Sequence, residues 1–330
     1  MKLRKIKYLV AFLMLATITT QVADAQTRED VVLKFNEGFE LVQSGDDLAA
    51  IETFEETLEL AEAVGAEADD IRDRVRSQIP QLYFRHAASL YQGGDIDSAI
   101  EAFQETVQYA EQYGDENTKA RAEGNLPRLY LSMGNNLYRN GEHDAALGAY
   151  NNALDLNANY PLAIYQKGLV YRQKEDLNNA LEQFDLAIDI SLNAGDMDMA
   201  DRASDAAKDY LVYLGANAIE DENFSAALEL LNQASTYDGS SAEVSYRLAE
   251  AHNHLGNWDQ AIANANQALE YESDGRADQA KIWFELGIAY KNQENEPQAC
   301  QAFQNASFGP FQANAEYELE HELNCAQASR

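Results

Sequence analysis

Residues 131–156 read LSMGNNLYRNGEHDAALGAYNNALDL, and residues 163–190 read AIYQKGLVYRQKEDLNNALEQFDLAIDI. Aligned, Gly134 falls on Gly168, Ala146 on Ala180, Tyr150 on Phe184 and Ala153 on Ala187, all four pairs at one and the same sequence offset. Small residues recurring at fixed places on two amphipathic helices predict a stacked helix-hairpin repeat. Helices whose axes lie about 8–10 Å apart touch where side chains are smallest, so Gly134, Gly168, Ala146 and Ala180 are read as crossing points. A glycine in mid-helix costs about 1 kcal/mol against alanine, and close packing supplies the reason for its recurrence. On this reading Tyr150 and Phe184 fill the space towards the next hairpin, while Gly141 and Lys174-Glu175-Asp176 make the turns.

The same register runs outward from the pair. The second-helix alanine recurs as Ala50, Ala99, Ala146, Ala180, Ala227, Ala261 and Ala299. Twelve places earlier stand Gly38, Ala87, Gly134, Gly168, Gly215, Ala249 and Gly287; four places later stand Phe54, Phe103, Tyr150, Phe184, Leu231, Ala265 and Phe303. Seven hairpins follow, over about 28–64, 68–113, 116–160, 161–194, 196–238, 242–274 and 278–308. The alanines are spaced 49, 47, 34, 47, 34 and 38 apart. The long intervals carry related inserts around Arg74, Arg121 and Arg202, each read as a first helix extended at its N-terminus by about three turns. Pro80 and Pro127 bend those helices or start new segments, and Gly65, Gly114 and Gly195 mark the preceding helix ends. After Gly309-Pro310, the stripe Phe311, Ala315, Leu319 and Leu323 predicts a capping helix over 311–326 that closes the last core surface.

These motifs resemble the tetratricopeptide repeat (TPR) family over nearly all of the chain after residue 25. The departures are local: Glu37 and Lys167 replace an apolar residue, Ala265 replaces an aromatic one, and the unit-closing proline is mostly absent. The resemblance, together with the leader described next, points to an exported bacterial member. It implies an all-α, right-handed superhelical solenoid of about seven hairpins with a C-terminal cap, occupying residues 26–330 as one continuous array.

Residues 1–25 form the leader. Lys2, Arg4, Lys5 and Lys7 precede a short apolar run from Tyr8 to Ile18, and Ala23-Asp24-Ala25 offers a cleavage site before Gln26. This is the pattern of a secretory signal peptide, and the run is shorter than the ~20 apolar residues a spanning helix needs. Export to the periplasm or the outside, with cleavage near Ala25, is the expectation, with no membrane span in the mature chain. In an exported chain a Cys300–Cys325 disulfide is permitted, against the alternative of two unrelated buried thiols.

The formal charge is −32, from 56 acidic and 24 basic residues. Nucleic acid is therefore not expected as a partner, since binding it depends on neutralising phosphate. The acidity has two readings, a saline habitat or ordinary solubility. No phosphate loop, dinucleotide fingerprint or Gly-x-Ser-x-Gly elbow occurs. His321-Glu322 begins like a zinc-protease helix, but Cys325 stands where its second histidine belongs. Asp196, Asp198 and Asp201 lack the glycine of a calcium loop and are read as acids favouring a helix N-terminus. No catalytic residue, metal or cofactor is expected.

In the TPR family the first helices line a concave groove where peptides or partner helices lie. That groove maps here onto Phe35, Phe39, Phe84, Tyr91, Arg128, Leu131, Asn135, Tyr138, Arg139, Tyr165, Leu169, Arg172, Gln173, Tyr246, Asn253, His254, Phe284, Ile288 and Lys291. Arg128, Asn135 and Arg139 share a helical face and, with Arg172, are read as a place for a carboxylate, against the alternative of a solvated face. The resemblance thus implies a non-enzymatic scaffold of the cell envelope that binds a protein or peptide. A glycan- or other ligand-binding module and an accessory subunit of an enzyme or secretion complex are the alternatives.

Overall fold

The computed structural model describes residues 26–273, 275–323 and 325; the leader read from residues 1–25 lies outside them. The described residues are helical, in the order α1 (Arg28–Ser44), α2 (Asp47–Val64), α3 (Asp69–Gln92), α4 (Ile96–Tyr113), α5 (Glu116–Arg139), α6 (His143–Leu156), α7 (Pro161–Gln173) and α8 (Leu177–Ala194). There follow α9 (Met197–Glu220), α10 (Phe224–Tyr237), α11 (Ala242–His254), α12 (Trp258–Tyr271), α13 (Arg276–Asn292), α14 (Glu296–Ala306) and α15 (Gln312–Tyr317). Consecutive pairs from α1/α2 to α13/α14 make seven hairpins among the described residues. The chain divides into two compact units, Met1–Ala122 and Glu123–Arg330, with the division inside α5.

The extended first helices are as expected: α3, α5 and α9 each have 24 residues, against 13 in α7 and α11. Pro80 and Pro127 neither end nor restart α3 and α5, which run through them. Side-chain caps start many of the helices. Thr27 and Asp30 form a reciprocal capping box on α1, and Asp46, Asp95, Asp176 and Asp196 each accept from a main-chain N–H three residues on. Gly114 and Gly195 end α4 and α8 in the left-handed conformation, at φ 73° and 76°.

The repeated small residue and the repeated aromatic meet within one hairpin. An ideal Cβ on Gly168 would lie 2.6 Å from Phe184 Cε1, and one on Gly38 or Gly287 would lie 2.6 or 2.7 Å from the same atom of Phe54 or Phe303. These rings are fully buried. Tyr150 and Phe184 therefore lie under the glycine of their own hairpin, which corrects the expectation that they point to the next one. The glycine removes the Cβ that would hold the two helices apart. In the sixth hairpin both partners are alanine, Ala249 and Ala265, and both are fully buried.

The C-terminal stripe closes the second unit. Ala315, Leu319 and Leu323 pack on Ala299, Phe303 and Ala306, and the Phe311 ring meets Phe284 at 5.5 Å. Lys291 holds this segment through Glu318 at 2.6 Å and Glu322 at 3.4 Å. Cys300 on α14 and Cys325 after the cap have Cα atoms 5.8 Å apart, with their sulfurs at bonding distance.

Candidate functional site

Four of the aromatics expected to face a ligand each rest on a ring of their own hairpin while staying partly exposed. Phe35 meets Phe54 at 5.7 Å, Phe84 meets Phe103 at 5.4 Å, Tyr165 meets Phe184 at 5.9 Å and Phe284 meets Phe303 at 5.5 Å. In every case the partner stands at the same sequence offset, on the second helix of the same hairpin. Such ring pairs add to area burial by offset or edge contact. Arg121 covers Phe84 further, its guanidinium 4.1 Å from the ring centre.

Tyr246 is a plainer correction. It stands at that same offset before Ala265, is only 6% exposed, and packs against Ala265 and Ile282. With no second-helix aromatic in that hairpin, the tyrosine itself fills the space. Phe284, Ile288 and Lys291 are covered or engaged by the chain's own C-terminal segment. Phe39 remains 45% exposed, Arg128 and Arg139 are exposed, and Tyr91 is half-buried. Tyr138 packs against the His143 ring at 5.7 Å, and His254 stacks on Phe224 at 4.4 Å.

The expected carboxylate pocket is also altered. Asn135 Oδ1 accepts a hydrogen bond from Tyr150 Oη at 2.9 Å, so it serves the hairpin interior. Arg172 lies in a cleft of about 590 Å³ between α7 and α9, lined also by Gln173, Glu175, Leu177, Asp209, Tyr210, Tyr213, Leu214 and Asn217. An adjoining cavity of about 500 Å³ brings Tyr165, Asp198, Asp201, Arg202 and Asp205 to the same place. Five carboxylates thus face two guanidinium groups, and a ligand carboxylate beside Arg172 would meet net repulsion.

The cleft joins the C-terminal end of α7 to the second half of α9, while the acidic first turns of α9 meet Tyr165 and Arg172 of α7 across the adjoining cavity. Asp201, Asp205, Asp209, Tyr213 and Asn217 recur at every fourth position and make one stripe along α9. Tyr213 is 61% exposed, whereas Tyr210 is buried and its phenol is pushed up by desolvation and by Glu175, with Arg172 opposing. Lys208 pairs with Asp205 at 2.8 Å and lies 3.8 Å from Asp209 and 3.7 Å from Asp238. From the sequence, Asp198 and Asp201 read as acids favouring the N-terminus of this helix, not as part of a site. The stripe was readable, but in so acidic a chain it looks like any solvated face.

Tetratricopeptide repeat models match residues 81–111, 131–194, 218–282 and 254–313, which together span more than half of the chain. The chain belongs to the tetratricopeptide repeat family. No curated protein matches this TPR chain. Among solved structures it is similar to "YrrB: a TPR protein with an unusual peptide-binding site", at 22% identity and a TM-score of 0.34, over 61% of this chain and 91% of that one. MamA from Desulfovibrio magneticus RS-1 aligns at 19% identity and 0.36, over 55% and 92%. A tetratricopeptide repeat protein from Parabacteroides merdae aligns at 14% and 0.29, over 88% and 98%. Scores this low carry no inference about a ligand. Among the described residues of the TPR protein, no group of three or more His, Cys, Asp or Glu side chains could hold a metal ion. No described helix is long and apolar enough to cross a membrane.

Proposed function

We propose that this TPR protein is a non-enzymatic scaffold that holds a segment of a partner protein in the cleft between α7 and α9. One observation carries the reading. Two first helices of successive hairpins leave a cleft of about 590 Å³ with an aromatic side chain, Tyr213, 61% exposed beside it. An exposed aromatic beside apolar Leu177 and Leu214, with Arg172 and Asn217 to bond a main chain, is a surface suited to an extended segment. The basic and apolar sequence of residues 1–25, which has the pattern of a signal peptide, supports work in the cell envelope.

The test places a photo-crosslinking amino acid at position 217, in the cleft, and at position 186, where Leu186 on α8 is 44% exposed. In cells, the cleft position should yield a discrete adduct with a defined partner. Tyr213→Ala should abolish that adduct, and position 186 should not give it. Equal adducts from both positions, or a cleft adduct indifferent to Tyr213→Ala, would refute the cleft as the docking site.

A further inference from the structure

We infer that the segment held between α7 and α9 is basic, with lysine or arginine side chains laid along the Asp201–Asp205–Asp209–Tyr213 stripe. This rests on the docking reading above and adds the chemistry of the occupant. The cleft and its adjoining cavity present five carboxylates, Glu175, Asp198, Asp201, Asp205 and Asp209, against Arg172 and Arg202. Asp198 and Asp201 have no ion-pair partner within 4.0 Å among the described residues, so their charge is open to a visitor. Lys208, on the same helix, sits 2.8 Å from Asp205 and 3.8 Å from Asp209, so even with this third cation the carboxylates outnumber the local positive charges.

The aromatic element is independent of the acids. Tyr213 continues the same helical face one turn beyond Asp209 and is 61% exposed. An aromatic face next to carboxylates favours a cation, because the ring quadrupole attracts positive charge within about 6 Å of its centre. A neutral or acidic segment would gain the ring contact but meet the repulsion of the carboxylates. Arg172 and Asn217, at the Tyr213 end, are left to bond the carbonyl groups of the visiting main chain. These parts fit one occupant: an extended segment whose alternate side chains are basic.

The experiment uses fluorescein-labelled (Lys-Ala)5 and (Glu-Ala)5 peptides with the full mature chain, read by fluorescence anisotropy at low and at physiological salt. Three variants are compared after circular dichroism confirms their helicity: Asp201→Asn with Asp205→Asn, Tyr213→Ala, and a control with Glu182→Gln and Asp189→Asn on α8. The lysine peptide should bind at least about tenfold more tightly than the glutamate peptide. Both cleft variants should weaken it by at least about fivefold, while the control stays within about twofold. Loss in the control equal to that in the cleft variants would overturn the inference, because an acidic chain attracts any polycation. Equal binding of the two peptides would overturn it as well. If a Tyr213-dependent crosslinked partner is nevertheless found in cells, the docking reading stands and only its basic chemistry fails. With neither result, both fail.

Discussion

The same substitution should have opposite signs at two glycines of one hairpin. Gly148 is exposed in the middle of α6, and nothing lies within 4 Å of the place an added Cβ would take. Gly148→Ala should therefore stabilise by about 0.5–1 kcal/mol, the usual helix-interior advantage of alanine. Gly134, on α5, faces Tyr150. A Cβ there would sit 2.6 Å from Tyr150 Cδ1 and 2.9 Å from Cζ, and the ring is fully buried with its hydroxyl bonded to Asn135 at 2.9 Å. The ring cannot withdraw without disturbing that bond. Overpacking of this kind costs about 1–3 kcal/mol, and loss of the hydrogen bond adds about 1 kcal/mol. The helix-propensity gain offsets only part, so Gly134→Ala should destabilise by about 1–3 kcal/mol.

A double mutant isolates the cause. Tyr150→Ala alone should cost about 3–5 kcal/mol through the cavity it leaves. In that background Gly134→Ala has no ring to meet and imitates the natural Ala249/Ala265 pair, so it should become neutral or stabilising. The coupling between the two sites should be about 2 kcal/mol or more. Urea unfolding followed by circular dichroism measures all four proteins. If Gly134→Ala stabilised the chain as Gly148→Ala does, or if the two effects simply added, the close-approach account would be wrong.

Two further predictions concern the second unit. Glu285 on α13 accepts from Asn253 Nδ2 at 2.8 Å, while Asn253 Oδ1 is buried with no donor. Burial pushes the Glu285 carboxyl up to about 7, with Glu250 adding, while the Asn253 bond and Arg247 oppose. A raised folded pKa contributes stability that is full below the ordinary value of 4.5 and is lost as pH rises through about 7. Glu285→Gln keeps the acceptor without the charge, so it should melt above the parent at pH 8 and with it near pH 5; a gap independent of pH would refute this. Reduction of the proposed Cys300–Cys325 bond, which spans 25 residues and is worth about 3 kcal/mol in a loop-entropy model, should raise amide exchange in residues 311–323 before the middle of the unit. Full alkylation of both thiols without reductant, in protein made in an oxidising compartment, would remove the basis for it.

How much of this could be read without coordinates depends on which contacts repeat. The seven hairpins, the three lengthened first helices and the cap stripe were legible, because each rests on local periodicity and on chain-order neighbours. A small residue, an alanine and, in most units, an aromatic at fixed offsets mark one packing event that recurs in every hairpin. The start of α9 was legible for the same reason: Asp196, read as an acid favouring a helix N-terminus, accepts from an N–H group three residues away. The leader read at residues 1–25 lies outside the described residues.

The site was another matter. From the sequence, Phe84, Tyr165 and Phe284 are aromatics on a face where family members hold ligands, and nothing local distinguishes such a ring from one resting on its own second helix. The partner that decides, Phe103, Phe184 or Phe303, is a tertiary neighbour on another helix. Tyr246 turned inward because Ala265 left room, a volume balance between two helices that no single-helix pattern contains. The cleft beside Tyr213 likewise exists only once α7 and α9, from successive hairpins, lie side by side. Helix formation and hairpin register are set by interactions within a few turns, so the sequence alone determined the seven-hairpin fold. Exposure is set by what a neighbouring element covers, and only the tertiary structure decided which side chains were left for a partner.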